Sequence, residues 1–186
     1  VEERAVATIG DSTLWHAGMP GLLNVVYNKS NTVTIILDNL TTAMTGHQPH
    51  PSTGRTLMGE ETVKGDFEAL ARAMGYDEVR TVDPLNLEEL EEALKASLDS
   101  NKPAVVITRS PCIFMYDERP PLYYVDVERC NACGRCFEIG CPAVIRSEEL
   151  HEKSGKAKAE INSILCFGCA VCEQVCARDA IHLVEE

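Results

Sequence analysis

The chain has 186 residues, with 17 lysines and arginines against 29 aspartates and glutamates, and a net charge of −12. That length holds one ordinary domain, or a medium domain with a small appendage, and 45% apolar with 25% charged residues is a globular balance. A nucleic-acid binder is excluded because no basic stripe exists to displace counterions, and a membrane-spanning helix because no apolar run approaches the roughly 18–20 residues it needs.

In chain order, Ala5-Val6-Ala7-Thr8-Ile9 is an apolar run stopped by Gly10-Asp11, the pattern of a buried strand. Leu22, Leu23, Val25 and Val26 predict a helix over 21–27. A β-branched run over 32–37 predicts a second strand, ending at Asp38-Asn39. Residues 40–62 are rich in Thr, Gly, Pro and His without periodicity and read as a long functional loop. Asp66 caps a helix whose face is Phe67, Leu70, Ala71 and Met74 and whose stop is Gly75. A strand follows over 78–82. Asn86-x-x-Glu89 opens a helix facing inward through Leu87, Leu90, Leu94 and Leu98, and the last strand covers 103–108. This alternation predicts an α/β domain over 1–111, a mostly parallel sheet with helices on both faces. Ser110-Pro111 and Arg119-Pro120-Pro121 bracket a linker over 112–121, and 122–186 form a small second domain.

Open parallel sheets bind ligands beyond the carboxyl ends of their strands. Asp11 and Asn39 follow two such ends, 28 positions apart, a spacing that suits one βαβ unit and puts both on one rim. A carboxylate, an amide oxygen and a backbone carbonyl are hard ligands suited to magnesium, which takes few protein ligands and completes its shell with phosphate and water. Gly10 lets backbone approach a diphosphate, and the helix that follows can aim N–H groups at it. Each piece alone reads equally as a turn with an N-cap or an Asx-turn.

The context favours the metal. Gly10-Asp11-Ser12 followed by Asp38-Asn39 resembles the thiamine-diphosphate signature. The longer strings from Gly10 to Gly18 and from Leu37 to Pro49 resemble the large subunit of indolepyruvate:ferredoxin oxidoreductase, of the 2-oxoacid:ferredoxin oxidoreductase superfamily. The resemblance implies Asp11 and Asn39 as Mg2+ side-chain ligands and Thr41 as a carbonyl ligand. It implies Ser12, Thr13, His16, Thr45, His47 and Gln48 around the diphosphate or reacting centre, with His16 and His47 as catalytic candidates. A loop histidine is also an ordinary hydrogen-bond partner, and the threonines are also ordinary cap and turn residues. Of the two histidines His16 is the better candidate, five residues after Asp11 and placed to open the helix. Trp15, the only tryptophan, reads as a packing residue.

The nine cysteines begin at 112, and eight crowd into 130–176. An odd count in tight Cys-x-x-Cys runs without a signal segment points to metal in a reducing, cytoplasmic compartment rather than to secreted disulfides. The start at Val1, with no methionine, reads as a fragment or processed chain. Cys130-x2-Cys133-x2-Cys136-x4-Cys141 and Cys166-x2-Cys169-x2-Cys172-x3-Cys176 are an internal repeat. Two-residue spacings bring three thiolates of one loop to one cuboidal cluster, and in two-cluster bacterial ferredoxins the fourth ligand comes from the other repeat. Cys130, Cys133, Cys136 and Cys176 are thus assigned to one 4Fe–4S cluster, and Cys166, Cys169, Cys172 and Cys141 to the other. Zinc is the rival, but zinc ribbons separate their cysteine pairs by a dozen or more residues. The extra residue before Cys141 predicts a local bulge, and Gly134 and Gly168 permit tight turns. Short strands over 123–127, 143–146, 159–161 and 181–184, with an exposed hairpin over 147–158, fit a small α+β ferredoxin sandwich. Cys112 lies outside both repeats, a buried thiol by default, though near enough to the sheet rim for a substrate-site role.

Together these resemblances imply oxidative decarboxylation of an aryl 2-oxoacid to acyl-coenzyme A, with electrons passed through two clusters to an external ferredoxin. They also imply missing parts: a pyrimidine-binding domain or subunit and a small subunit. The alternative is a non-catalytic electron-transfer module whose α/β domain serves docking.

Overall fold

The computed structural model describes residues 3–117 and 120–184. Val1 and Glu2, and Glu118 and Arg119 of the expected linker, lie outside the described residues. The chain divides into two compact units, Val1–Met115 and Tyr116–Glu186, with the division inside the segment read as a linker. Among the described residues no helix is long and apolar enough to cross a membrane.

The first unit is built on four parallel strands in the order β1-β2-β4-β3: β1 (Ala5–Gly10), β2 (Thr32–Asp38), β3 (Glu78–Val82) and β4 (Ala104–Arg109). Alternate side chains of the central strands feed two cores. Ile36, Val105 and Ile107 face Leu14, Leu22, Phe67 and Ala71 on one side. Val33, Ala104 and Val106 face α4 (Leu87–Asp99) through Leu90, Ala93 and Leu94 on the other. The alternation follows from the two-residue pleat, with both faces of a parallel sheet covered.

The caps form where the sequence places them. The Asp66 carboxylate accepts the N–H groups of Glu68 and Ala69 to start α3 (Phe67–Met74), and Gly75 closes it in the left-handed conformation. Asn86 accepts the N–H of Glu89 at the start of α4. The inward row of α4 ends on Ser97, which is fully buried, and Leu98 points outward. The helical period brings position 97 back to the sheet and carries 98 past it.

Two further elements differ from expectation. β1 is an edge strand, exposed over most of its length, with Val6 more than half exposed. A run of apolar residues reports strand propensity and not whether another layer covers it. The first helix starts ten residues earlier than its apolar pattern. It runs without break through α1 (Asp11–Thr13), a π-helical turn (Leu14–Gly18) and α2 (Met19–Tyr27). Pro20 has no N–H and cannot donate to the preceding turn. The widened turn, with Met19 N–H bonded to the Leu14 carbonyl, re-routes the ladder around it.

The second unit pairs β5 (Tyr123–Val125) with β8 (Ile181–Leu183), and β6 (Val144–Leu150) with β7 (Ala157–Ile161), all antiparallel. The β6–β7 hairpin turns over 151–156, so its strands reach further into the tip than their apolar residues suggest. Two one-turn helices, α5 (Arg135–Glu138) and α6 (Val171–Gln174), follow the cysteine loops. The core is small, with Val144, Ala159 and Ile181 packed among the cysteines themselves.

Candidate functional site

Parallel pairing of β1 with β2 sets Gly10 beside Leu37, so the residues that leave the two strands emerge side by side. Asp11 is buried there, and its carboxylate collects three donors. Ser12 N–H lies 2.6 Å from Oδ1, Asn39 N–H 3.1 Å from Oδ2, and His50 Nε2 3.0 Å from Oδ2. Asn39 Oδ1 accepts the N–H of Thr41 at 3.2 Å, and Thr41 is buried. Leu40 between them is left-handed, which folds the chain back over the rim.

Around this group, Thr42 Oγ1 donates to Ser12 Oγ at 3.0 Å, and Ser12 Oγ lies 3.3 Å from His16 Nδ1. His16 is exposed on the π-helical turn, one turn after the point where the helix opens, rather than at its start. Thr13 is exposed. Thr45, His47 and Gln48 stand apart on a turn closed by the Thr42–Gln48 bridge. Thr45 and Gln48 bond to each other, and the His47 ring meets Phe114 edge-on at 5.6 Å. Cys112 N–H donates to the Asn39 carbonyl at 2.9 Å, which puts its backbone on the same rim.

His50 is the residue that sequence reasoning missed. Its side chain is fully buried. Its Nδ1 accepts the N–H of Ser52 at 3.3 Å, so Nδ1 carries a lone pair and Nε2 carries the proton given to Asp11. That contact orients the carboxylate. The loop is clamped in turn: Ser52 is buried and accepts the Trp15 indole N–H at 2.6 Å, and Trp15 stacks on Phe67 at 4.8 Å. Trp15 thus packs and also anchors the loop that carries His50. If the rim takes a divalent cation, His50→Leu is expected to weaken its binding about 10–100-fold, the usual range for a group that orients a ligand. His50→Gln, which can still present an N–H, is expected to recover most of it; titration of the assembled complex checks both.

In the second unit the cysteines gather in two groups. Cys130, Cys133, Cys136 and Cys176 line one cavity, with Val125, Phe137 and Ile181 among its other walls. Burial first, and the neighbouring sulfurs of Cys130, Cys133 and Cys176 second, raise the Cys136 thiol pKa. Around Cys172 stand Cys169, Cys166 and Cys141; here burial first and these neighbours second push the thiol up to about 11. Thiols so disfavoured as thiolates need a cationic guest to ionise. Among the described residues no three His, Cys, Asp or Glu side chains converge as a single metal ion requires. Four thiols about one cavity suit a cuboidal cluster.

The two loops share a backbone. Residues two and four after the first cysteine are left-handed in each: Ala132 and Gly134, then Gly168 and Ala170. Alternating handedness turns successive N–H groups to one side, a concavity for an anionic group. The extra residue of the first repeat is taken up by Gly140, also left-handed, just before Cys141. A methyl group at Gly168 would collide with the Pro121 carbonyl, whereas one at Gly134 would meet only Phe137 at 3.8 Å. Gly168→Ala is thus expected to lower Tm by several degrees more than Gly134→Ala, read from a thermal scan of the loaded complex.

Residues 1–108 match the family model of the C-terminal TPP binding domain of thiamine pyrophosphate enzymes. The chain belongs to that family. Residues 129–180 match the model of the 4Fe-4S dicluster domain. Curated relatives of this thiamine pyrophosphate enzyme chain include the indolepyruvate oxidoreductase subunit IorA of Pyrococcus horikoshii and that of Archaeoglobus fulgidus. Each is 40% identical over 97% of this chain, covering 28% and 29% of the relative respectively. The chain thus spans under a third of the length of those relatives. Among solved structures, a putative thiamin diphosphate-dependent enzyme isolated from Mycobacterium smegmatis is similar over 60% of this chain and 19% of its own, at 22% identity and a TM-score of 0.46.

The rim fits the group that defines the thiamine pyrophosphate enzymes. Gly10 has an ordinary extended conformation, with φ −74° and ψ 153°, and among the described residues no atom beyond its chain neighbours lies within 4 Å of where its Cβ would be. Nothing in the chain's own packing demands glycine there, and the space is open to a ligand. The Asp11 carboxylate is buried among the Ser12 and Asn39 N–H groups and the His50 ring, and its two oxygens keep acceptor capacity for a hard cation.

Proposed function

We propose that this chain supplies the diphosphate-binding site and the electron relay of a 2-oxoacid oxidoreductase. The reaction we assign is oxidative decarboxylation of an aryl 2-oxoacid of the indolepyruvate type to acyl-coenzyme A, with electrons leaving to an external ferredoxin in the cytoplasm. The observation that carries this reading is the presence, in one chain, of a thiamine pyrophosphate-enzyme domain and two four-cysteine groups. The names of the curated relatives support the substrate class.

Asp11 and Asn39, with the Thr41 carbonyl, would hold Mg2+ for the diphosphate. Gly10 and Ser12 leave room for that diphosphate and turn backbone toward it. His50 fixes the carboxylate, and the Trp15–Ser52 clamp keeps His50 in place. Ser12, Thr42 and His16 form a hydroxyl–imidazole chain beside the ligands, from which His16 exchanges a proton with bound substrate. Thr13, Thr45 and His47 join the site only through contacts with bound cofactor or partner. Thiamine diphosphate, when bound, supplies the nucleophilic carbon and the electron sink for loss of carbon dioxide. The eight cysteines would hold two 4Fe–4S clusters, which would supply one-electron carriers. A pyrimidine-binding domain and a small subunit complete the enzyme.

The test is anaerobic turnover of the assembled complex with indolepyruvate, phenylpyruvate and pyruvate, in the presence of coenzyme A and ferredoxin. Aryl substrates should give acyl-coenzyme A and reduced ferredoxin in a thiamine-dependent manner. A complex that never binds thiamine yet passes electrons would establish the docking-module alternative.

A further inference from the structure

The two cysteine groups have unlike surroundings. Of the nine cysteines only Cys133, in the first loop, is exposed. It opens onto a groove of about 490 Å³ lined by Phe137, Glu138, Arg146 and Lys156. Arg135 and Arg178 line the cavity on the same group. All four cations are exposed, and none forms an ion pair with a described residue. Arg146 is held in place over the Phe137 ring at 4.8 Å. The second loop is covered instead. Phe167 packs edge-on against Tyr116 at 5.3 Å, Gly168 lies under Pro120 and Pro121, and Tyr123 and Glu173 stand beside Cys169 and Cys172.

A chain of net charge −12 repels an acidic partner over most of its surface. Arg146 and Lys156 set positive charge in the groove where a ligand sulfur reaches solvent, with Glu138 as the single opposing charge in its lining. We propose that this groove is the electron exit: the docking surface through which the cluster on Cys130, Cys133, Cys136 and Cys176 serves an acidic one-electron carrier protein. One electron leaves the reduced cluster and enters the carrier's oxidised centre, with no bond made or broken and no proton moved. Complementary charge steers the encounter, so its effect lies in the association rate and fades with salt. The proposal rests on the cluster assignment above.

The test uses the full complex, loaded with both clusters, reduced with dithionite, freed of excess reductant and mixed in a stopped-flow with an oxidised acidic ferredoxin or with basic cytochrome c. The ferredoxin rate should fall about tenfold from low to high ionic strength. Arg146→Glu with Lys156→Glu should lower the low-salt ferredoxin rate about tenfold or more, flatten its salt dependence and favour cytochrome c. Lys156→Glu alone, at an exposed side chain, should give part of that change if the double variant loses its clusters. Lys153→Glu makes the same charge change on the hairpin tip, and should alter the rate less than about twofold. An unchanged rate and salt slope for Lys156→Glu, or an equal loss for Lys153→Glu, would overturn the proposal. A wild-type complex without cluster absorbance would overturn the cluster assignment itself, a result told apart from the other by its spectrum.

Discussion

Asp11→Asn in the assembled complex is expected to abolish Mg2+-dependent thiamine diphosphate binding, a loss of at least about 100-fold in apparent affinity. The substitution keeps the shape and removes the charge. It also puts an NH2 where an oxygen accepted hydrogen bonds. Oδ1 receives Ser12 N–H, and Oδ2 receives Asn39 N–H and His50 N–H, so either orientation of the amide sets a donor against a donor. Each orphaned donor costs about 1–3 kcal/mol, and the cation loses its one charged ligand on this rim. Calorimetric titration of cofactor into the complex at saturating Mg2+ measures the loss. Near-UV circular dichroism checks that the α/β unit is still folded. Affinity within about threefold of wild type would show that Asp11 only caps the helix.

Cys176→Ser is expected to remove the cluster whose other three ligands lie forty or more residues earlier in the chain, and to leave the cluster of its own repeat in place. Cys141→Ser should do the converse. The reason is spatial: Cys176 belongs to the cavity of Cys130, Cys133 and Cys136, while Cys141 stands with Cys166, Cys169 and Cys172. Each variant should hold about half the iron and sulfide of the wild type and show one EPR signal instead of two interacting ones. Stability should also drop, because the small core is built on the cysteines themselves. If Cys176→Ser lost the Cys166 cluster instead, the crossed pairing would be wrong.

Much of this was legible in the sequence where a physical rule has only one easy solution. The caps at Asp66 and Asn86 and the β-branched runs gave the strands and helices, because each reports a local backbone need. The 28-residue spacing of Asp11 and Asn39 gave the shared rim, because one βαβ unit returns to the same sheet edge. What stayed hidden depends on packing between distant segments. His47 and His50 sit three residues apart in one loop, and nothing in their spelling says which one turns inward; the left-handed backbone at His47 and the Trp15–Ser52 clamp decide it. Ala132 and Ala170 occupy left-handed positions that only glycine advertises. The exposure of β1 follows from which layers exist to cover it, which an apolar pattern does not encode, whereas the outward turn of Leu98 follows from the helical period, which places Ser97 and not Leu98 against the sheet.

The central claim is that carbon chemistry at the Asp11 rim supplies electrons to the cysteine-bound clusters. Rapid freeze-quench EPR tests it most directly. The complex, loaded with thiamine diphosphate and Mg2+, is mixed anaerobically with indolepyruvate in a single turnover, without external carrier. The account predicts a reduced-cluster signal that grows with substrate and is missing when thiamine is left out or Asp11 is replaced by Asn. Clusters that stay oxidised while carbon dioxide is released, or that become reduced equally well without thiamine, would contradict it.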